Sequence, residues 1–348
     1  MELLTYAQVA DYMDLNVDDL KKIIEKQKIS TYELNSKIYL SDDSIKEIED
    51  YATQLLFDLE INENKDSGKY DKRNKLNDLT GKEWMPETKS YWFQKGLGKN
   101  NPEARIEKMH PAPFSFQDIE RLIKFFTKKD EVVLDPFLGV GSTLKAAALT
   151  GRNGIGIELT SRWVELSKER LEKEVGKGTS DKFTIINGDS SKELKKLNDE
   201  SVDFVVTSPP YWNILHKKDQ KIIKQRVING LETQYSEDDN DLGNVDDYNK
   251  FLEMLVNKFI FESARVLKNK KYFALIVSDF RHKSKFVSFH SDLINKIDGV
   301  KQKGYKLDLQ GVKVLIQNHK SLHPYGYPFA YVENIHHQYI LIFRKELI

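Results

Sequence analysis

From about residue 104 onward, short apolar runs alternate with stretches of helical periodicity, and glycine or acidic residues close several of the runs. Val132 to Leu134, Gly154 to Ile157, Phe183 to Ile186 and Val202 to Val206 read as strands, each too short and too β-branched for a helix. Ser142 through Leu149, and a second stretch carrying Trp163, Leu166 and Leu171, read as the helices between them. A long helix follows from Tyr248 to Leu267, then a strand from Tyr272 to Val277, with late strands near Val312 to Ile316 and Gln338 to Phe343. Repeated strand–helix units leave few alternatives to an α/β fold with a mainly parallel, Rossmann-like sheet and helices on both faces. Ligands of such a sheet bind beyond the carboxyl ends of its strands.

The rest of the chain is organised differently. Residues 1–57 read as a separate module: a helix capped by Thr5 and carrying Val9, Ala10, Tyr12 and Met13, a second helix capped by Asn16 with Leu20, Ile23 and Ile24 inward, a hairpin across Ile29 to Leu40 turning near Asn35-Ser36, and a third helix opened by Ser41-Asp42-Asp43. Residues 58–75, polar around Asn62 to Lys69, read as a linker, and 76–348 as the large domain. The 348 residues include 54 basic and 54 acidic side chains, so any positive surface for a polyanion must be local. No cysteine occurs, which excludes disulfides, thiolate metal sites and cysteine nucleophiles, including the attack used to methylate ring carbons of pyrimidines. No apolar run reaches the roughly 20 residues of a membrane helix, and the expectation is a cytoplasmic protein without a membrane partner.

Three successive strand ends carry candidate ligand-binding residues. The first strand runs into Asp135-Pro136-Phe137-Leu138-Gly139-Val140-Gly141-Ser142-Thr143, where Gly139 and Gly141 permit a tight turn and close approach of a ligand to backbone. The second ends in Glu158, a carboxylate able to accept from both hydroxyls of a ribose. The third leads to Asp189, placed to accept from an adenine amino group. No glycine loop for a triphosphate is present. A phosphate-free nucleoside, S-adenosylmethionine, therefore suits this set better than ATP or NAD.

The fourth strand ends in Ser208-Pro209-Pro210-Tyr211. Two prolines stop the strand and stiffen the loop, and without N–H groups of their own they leave carbonyls free to accept. Ser208 Oγ and the Pro209 carbonyl form a candidate acceptor pair for the two hydrogens of an exocyclic base amine, whose lone pair is otherwise delocalised into the ring. Tyr211 is a candidate for stacking on the base. This chemistry requires no metal, and no metal site is expected; His336-His337 reads as structural or DNA-facing.

These motifs resemble the DNA amino-methyltransferase family, which methylates cytosine N4 or adenine N6. The resemblance rests on Asp135-Pro136-Phe137-x-Gly139-x-Gly141, on Ser208-Pro209-Pro210-Tyr211, on His110-Pro111-Ala112-Pro113-Phe114, and on Asp241-Leu242-Gly243 with the helix from Tyr248, and covers roughly residues 76 to 345. Phe114-Ser115 replaces the usual final proline of the third motif. The resemblance implies a class I methyltransferase sheet, S-adenosylmethionine bound by Asp135, Pro136, Phe137, Gly139, Gly141, Thr143, Glu158, Asp189, His110 and Pro111, and catalysis by Ser208, Pro209, Pro210 and Tyr211. Serine at the head of the tetrad favours cytosine N4; adenine N6, an RNA base, and a non-catalytic DNA-binding protein are the alternatives, in that order. Residues 1–57 resemble, more loosely, the winged helix-turn-helix of excisionase-like and MerR-like proteins. Duplex DNA with the target base flipped out is the expected partner, and a cognate restriction enzyme is a candidate one. The sequence leaves the oligomeric state open. Target-recognition segments are expected near 213–246, which carries Lys217, Lys218, Lys221, Lys224 and Arg226, and near 280–334, which carries Arg281, His282, Lys283, Lys285 and the Tyr325-Gly326-Tyr327-Pro328-Phe329 loop. The cofactor motif precedes the tetrad, whereas many relatives with this tetrad have the reverse order.

Overall fold

The computed structural model describes residues 3–12, 17–34, 37–48, 51, 68–94, 115–212, 242–282, 285–317, 320 and 322–348. The chain divides into two compact units, Met1–Gly68 and Lys69–Ile348, with the boundary inside the polar stretch.

In the first unit, strand β1 (Leu3–Thr5) is followed by helices Tyr6–Tyr12 and Val17–Gln27, strands β2 (Tyr32–Leu34) and β3 (Lys37–Ser41), and a helix over 42–48. Thr5 opens the first helix through a reciprocal box: Gln8 N–H donates to Thr5 Oγ1 at 3.4 Å and Thr5 N–H donates to Gln8 Oε1 at 2.9 Å. Val9, Ala10, Leu20, Ile23, Ile24, Leu40, Ile45 and Ile48 make the core, as their spacing requires. β1 pairs with β3, a strand the periodicity did not announce because three residues carry no detectable alternation. Met13, Asn16, Asn35 and Ser36 lie outside the described residues.

The second unit is built on a nine-stranded sheet. Its strands are β4 (Tyr91–Phe93), β5 (Val132–Asp135), β6 (Asn153–Glu158), β7 (Thr184–Asn187), β8 (Val202–Thr207) and β9 (Leu267–Val277), then, after a small separate hairpin β10 (Phe280–His282) and β11 (Lys285–Val287), strands β12 (Lys301–Gln302), β13 (Tyr305–Ile316) and β14 (His337–Leu347). The order across the sheet is β7-β6-β5-β8-β9-β14-β13-β12, with β4 beside β13. β7, β6, β5, β8 and β9 are mutually parallel, β14 runs against β9 and β13, and the two-residue β12 runs against β13. This is the Rossmann-like class I arrangement. The chain winds outward from β5 to β7, then returns to β8, so the crevice of a doubly wound sheet opens between the ends of β5 and β8.

Both faces of the sheet are covered, which explains the unbroken apolar runs. Every residue of β8 is buried: Phe204 and Val206 join the core under the helix Phe116–Phe126, while Val202 and Val205 join the core under the helices that begin at Tyr248 and Phe289. Phe273, Leu275 and Val277 alternate with Ala274 and Ile276 in the same way along β9. The Phe116–Phe126 helix presents Phe116, Ile119, Leu122, Ile123 and Phe126, a stripe at helical spacing.

Three regions depart from the periodicity reading. β9 begins at Leu267, five residues before the expected start, because Lys268 and Lys271 are neutralised by Asp203 at 2.8 and 3.7 Å and the polar run can therefore enter the sheet. The helix from Tyr248 widens to a π-helical stretch over Leu255–Ile260 before resuming as Phe261–Val266. The hairpin β10–β11 and the helix Phe289–Ile297, which the periodicity did not announce, stand within the expected target-recognition segment 280–334. Among the described residues, no helix is long and apolar enough to cross a membrane.

Candidate functional site

Asp135 ends β5 and Glu158 ends β6, yet the two carboxylates have different environments. Asp135 is 3% exposed. Its Oδ1 accepts from Phe137 N–H at 3.0 Å and from Thr207 Oγ1 at 2.6 Å, and its Oδ2 accepts from Thr143 Oγ1 at 2.5 Å. It thereby ties the start of the glycine turn, the helix Ser142–Thr150 and the end of β8 into one node. Burial pushes its pKa above the usual carboxylate range, against the pull of these three hydrogen bonds.

Glu158 lines an open cleft. Gly139 N–H donates to Glu158 Oε2 at 2.9 Å and Thr160 N–H donates to Oε1 at 2.8 Å. The two backbone donors fix the plane of the carboxylate, and each oxygen keeps further acceptor capacity. Asp189 follows β7 and caps the short helix Ser190–Glu193, accepting from Ser191 N–H at 2.9 Å with Lys192 Nζ at 3.3 Å. Ser190 Oγ donates to the Pro136 carbonyl at 2.5 Å and so closes the loop after β7 onto the glycine turn.

The two glycines of the turn do different work. Gly139 has φ of 52° and lines the cleft. Gly141 has φ of 78° and does not line it; a Cβ there would lie 2.3 Å from Ser167 Oγ on the helix Ser161–Glu174. Gly141 thus allows two helices to approach, a packing role beside the cofactor role expected for it. Thr143 is likewise buried beneath the turn with Asp135 rather than on the cleft wall.

The tetrad Ser208-Pro209-Pro210-Tyr211 forms the opposite wall of the same cleft, whose space is about 740 Å³ counted to its open mouth. Trp212 anchors the end of the loop: it is buried, and its Nε1–H donates to the Val245 carbonyl at 2.7 Å. The Tyr211 ring packs against Phe289 and Phe280, with centroids 6.0 and 6.5 Å away. Its hydroxyl is hydrogen-bonded with Ser208, with the backbone of Ser278 and with Gln338, and burial pushes its pKa up to about 12. The ring expected to stack on a base is therefore partly committed to the core, while the hydroxyl holds Ser208.

Phe137 and Pro136 line the cleft as well, and the Phe137 ring lies 5.2 Å from that of Phe259. Leu242, from the Asp241-Leu242-Gly243 motif, lines the cleft, and so does Phe259, which the motifs did not reveal. Phe259 resembles an ordinary core position in sequence, and only the packing of the Tyr248–Val266 segment turns it inward to the site. Trp163 and Thr160, also on the wall, carry no sequence signal beyond following Glu158. His110, Pro111, Ala112, Pro113 and Phe114 lie outside the described residues, as do 213–241. His337 opens β14 with its Nε2 at 3.0 Å from the Tyr339 hydroxyl. Among the described residues, no group of three or more His, Asp or Glu side chains could hold a metal ion.

The cleft suits a phosphate-free nucleoside. It offers two anchored carboxylates on adjacent strand ends, a glycine-lined wall, and an apolar floor that includes Phe259.

A DNA methylase family profile matches residues 18–169, a stretch that includes the glycine turn and Glu158 and stops short of Asp189 and the tetrad. The Type II methyltransferase M.BglI of Bacillus subtilis is 32% identical over 127 residues, covering 36% of this chain and 32% of that protein. The Type II methyltransferase M.ScaI of Streptomyces caespitosus is 45% identical over 65 residues, covering 19% of this chain and 21% of that protein. The chain thus spans a third or less of the length of these two relatives. The solved structure of TrmN from Thermus thermophilus aligns with a TM-score of 0.38 at 15% identity, covering 66% of this chain and 48% of that one, so the fold assignment rests on the strand order above. Over these stretches the chain is similar to DNA methylases, and the cleft residues fit S-adenosylmethionine as the cofactor.

Proposed function

We propose that the protein is a DNA methyltransferase that transfers a methyl group from S-adenosylmethionine to the exocyclic amino group of cytosine, at N4. The observation that carries the reading is the meeting, in one cleft at the switch point of the sheet, of Glu158 and Asp189 on one wall with Ser208 to Tyr211 on the other. Adenine N6 is the second reading, since a hydroxyl accepts from either base's amino group; an RNA base comes third, and a non-catalytic DNA-binding protein last.

In this scheme Glu158 accepts from the ribose hydroxyls, with its orientation set by Gly139 and Thr160, and Asp189 accepts from the adenine amine. Gly139, Pro136 and Phe137 shape the wall between them. Bound S-adenosylmethionine supplies a methyl group on a sulfonium, already a good leaving group, so positioning and polarisation are what remain for the protein to provide. Ser208 Oγ and the Pro209 carbonyl draw the two amino hydrogens out of the base plane, which returns lone-pair density to nitrogen. The Tyr211 hydroxyl holds Ser208 in place. The buried Pro209, the half-buried Pro210 and Trp212 keep the loop from relaxing around a flipped base.

DNA is contacted, in this reading, by residues 280–334 and 213–246 and by the N-terminal unit, whose helix, helix, hairpin and helix follow the order of a winged helix-turn-helix. Removing residues 1–57 should weaken DNA binding; unchanged affinity and sequence preference would reassign that unit to assembly.

The decisive experiment is mass spectrometry of nucleosides from the DNA of a host expressing the protein, beside a Ser208→Ala control. N4-methylcytosine, reduced about a hundredfold in the control, is the expected result. N6-methyladenine would move the assignment to the second reading. Absence of both marks would remove the DNA methyltransferase reading.

A further inference from the structure

Between β13 and β14 the chain forms a loop whose large side chains face solvent. Tyr327 is 82% exposed, Phe329 93% and Tyr331 84%, with Leu322 at 76% and Tyr325 at 55% beside them. A clustered apolar surface of this kind marks an interaction site, whereas single exposed rings do not.

The loop is built. His323 N–H donates to Asn334 Oδ1 at 3.0 Å and Asn334 Nδ2 donates to the His323 carbonyl at 2.9 Å, which pinches its neck. At the tip, the N–H groups of Phe329 and Ala330 both return to the Gly326 carbonyl at 2.7 Å. Gly326 has φ of 77°, and a Cβ there would lie 2.3 Å from the Ala330 carbonyl oxygen, so the turn needs glycine. The rings ride on a defined backbone, which lowers the entropy lost when something binds them.

Strand directions locate the loop. β13 runs parallel to β9 and β8, so it ends, and β14 begins, at the sheet edge where Ser208 follows β8. Its two feet are joined there: Gln317 Nε2 donates to Gln338 Oε1 at 3.2 Å, and Gln338 Nε2 lies 3.5 Å from the Tyr211 hydroxyl. The hairpin β10–β11, which follows β9 at this same edge, carries Arg281, His282 and Lys285.

The geometry points to the loop Leu322–Tyr331 as a stacking platform for unpaired bases of the nucleic acid that enters the tetrad cleft. Flat, mostly hydroxyl-rimmed rings suit base faces in water, where aliphatic side chains would suit a lipid. Cations of the hairpin at the same sheet edge supply phosphate contacts, and the loop's foot at Gln338 meets Tyr211 of the tetrad. This inference rests on reading that cleft as a base-modifying site.

The test uses the full chain and a Tyr327→Ala, Phe329→Ala double variant. Binding to an oligothymidylate and to a fully paired duplex is measured by fluorescence anisotropy at one salt concentration. The expected result is binding to the oligothymidylate weakened about tenfold or more, with duplex binding and S-adenosylmethionine binding changed less than about twofold. A Tyr327→Trp, Phe329→Trp variant should retain the wild-type preference. Equal losses on both DNA probes, or no loss on either, would overturn the platform. So would unchanged DNA binding accompanied by loss of self-association in sedimentation, which would give the face to a second copy of the chain. If the selective loss appears with an oligouridylate instead, the platform stands and the DNA reading fails. If it appears while no methylated base is found, the platform stands without the enzyme.

Discussion

The two walls of the cleft are made in different ways. The wall that holds Glu158 and Asp189 is local: it comes from three consecutive strand–loop–helix units between Asp135 and Ser190, and its polar groups are fixed mostly by backbone N–H donors of those loops. The wall that holds the tetrad is assembled from afar. Trp212 reaches Val245, Tyr211 packs on Phe280 and Phe289, and its hydroxyl meets Gln338 more than a hundred residues along the chain. A wall set by backbone geometry tolerates changes in the side chains behind it. A wall set by distant packing does not, and its parts fail together.

The sharpest contrast within the local wall is between Asp135 and Glu158. Asp135→Ala should destabilise the fold by about 3 kcal/mol, because it leaves two hydroxyls and an N–H without their buried acceptor. Chemical denaturation checks this, and a loss below about 1 kcal/mol would show that the node is not structural. The isosteric Asp135→Asn also carries a sign. Burial raises the pKa of Asp135 in the folded state, so the stability this group contributes is full below its unfolded pKa, near 3.9, and is lost as pH rises through the folded value. Asparagine has no such dependence. The Asn variant should therefore be penalised most at acid pH, and its deficit should shrink toward neutrality; a deficit that grows with pH would reverse the assignment.

Glu158→Gln should show the opposite pattern. The amide keeps the shape and one acceptor oxygen, so stability should fall by only about 1 kcal/mol. S-adenosylmethionine binding, read by calorimetry, should weaken about tenfold because a paired acceptor is lost. Wild-type affinity in this variant would place the ribose elsewhere.

The smallest effect tests the assembled wall. Tyr211→Phe keeps the ring against Phe280 and Phe289 and removes only the hydroxyl that holds Ser208. Turnover should fall about threefold to tenfold with cofactor affinity unchanged. Unchanged turnover would return Tyr211 to a role for its ring alone.

Much of this architecture was legible from residue order. The alternation of apolar runs and helical stripes identified β5 to β8, and glycine or acidic residues at their ends pointed to Gly139, Glu158 and Asp189, because strand length and side-chain period are local properties. Local pattern could not assign Asp135, Gly141 and Thr143 to the interior beneath the turn. A carboxylate at a strand end looks the same in sequence whether it faces a cleft or a neighbouring hydroxyl. Nor could it find the early start of β9, whose lysines are neutralised by acidic residues far back in the chain. Sequence alone determined the α/β class, the strands β5 to β8 and the order of motifs along them, since these follow from periodicity and turn chemistry within a few residues, whereas the order of strands across the sheet and its switch point came from long-range pairing. Only tertiary structure decided which carboxylate is a buried strut and which lines the cleft, what holds Ser208, and that the aromatic loop shares the tetrad's edge. Each of these depends on contacts between segments whose separation along the chain leaves no periodic trace.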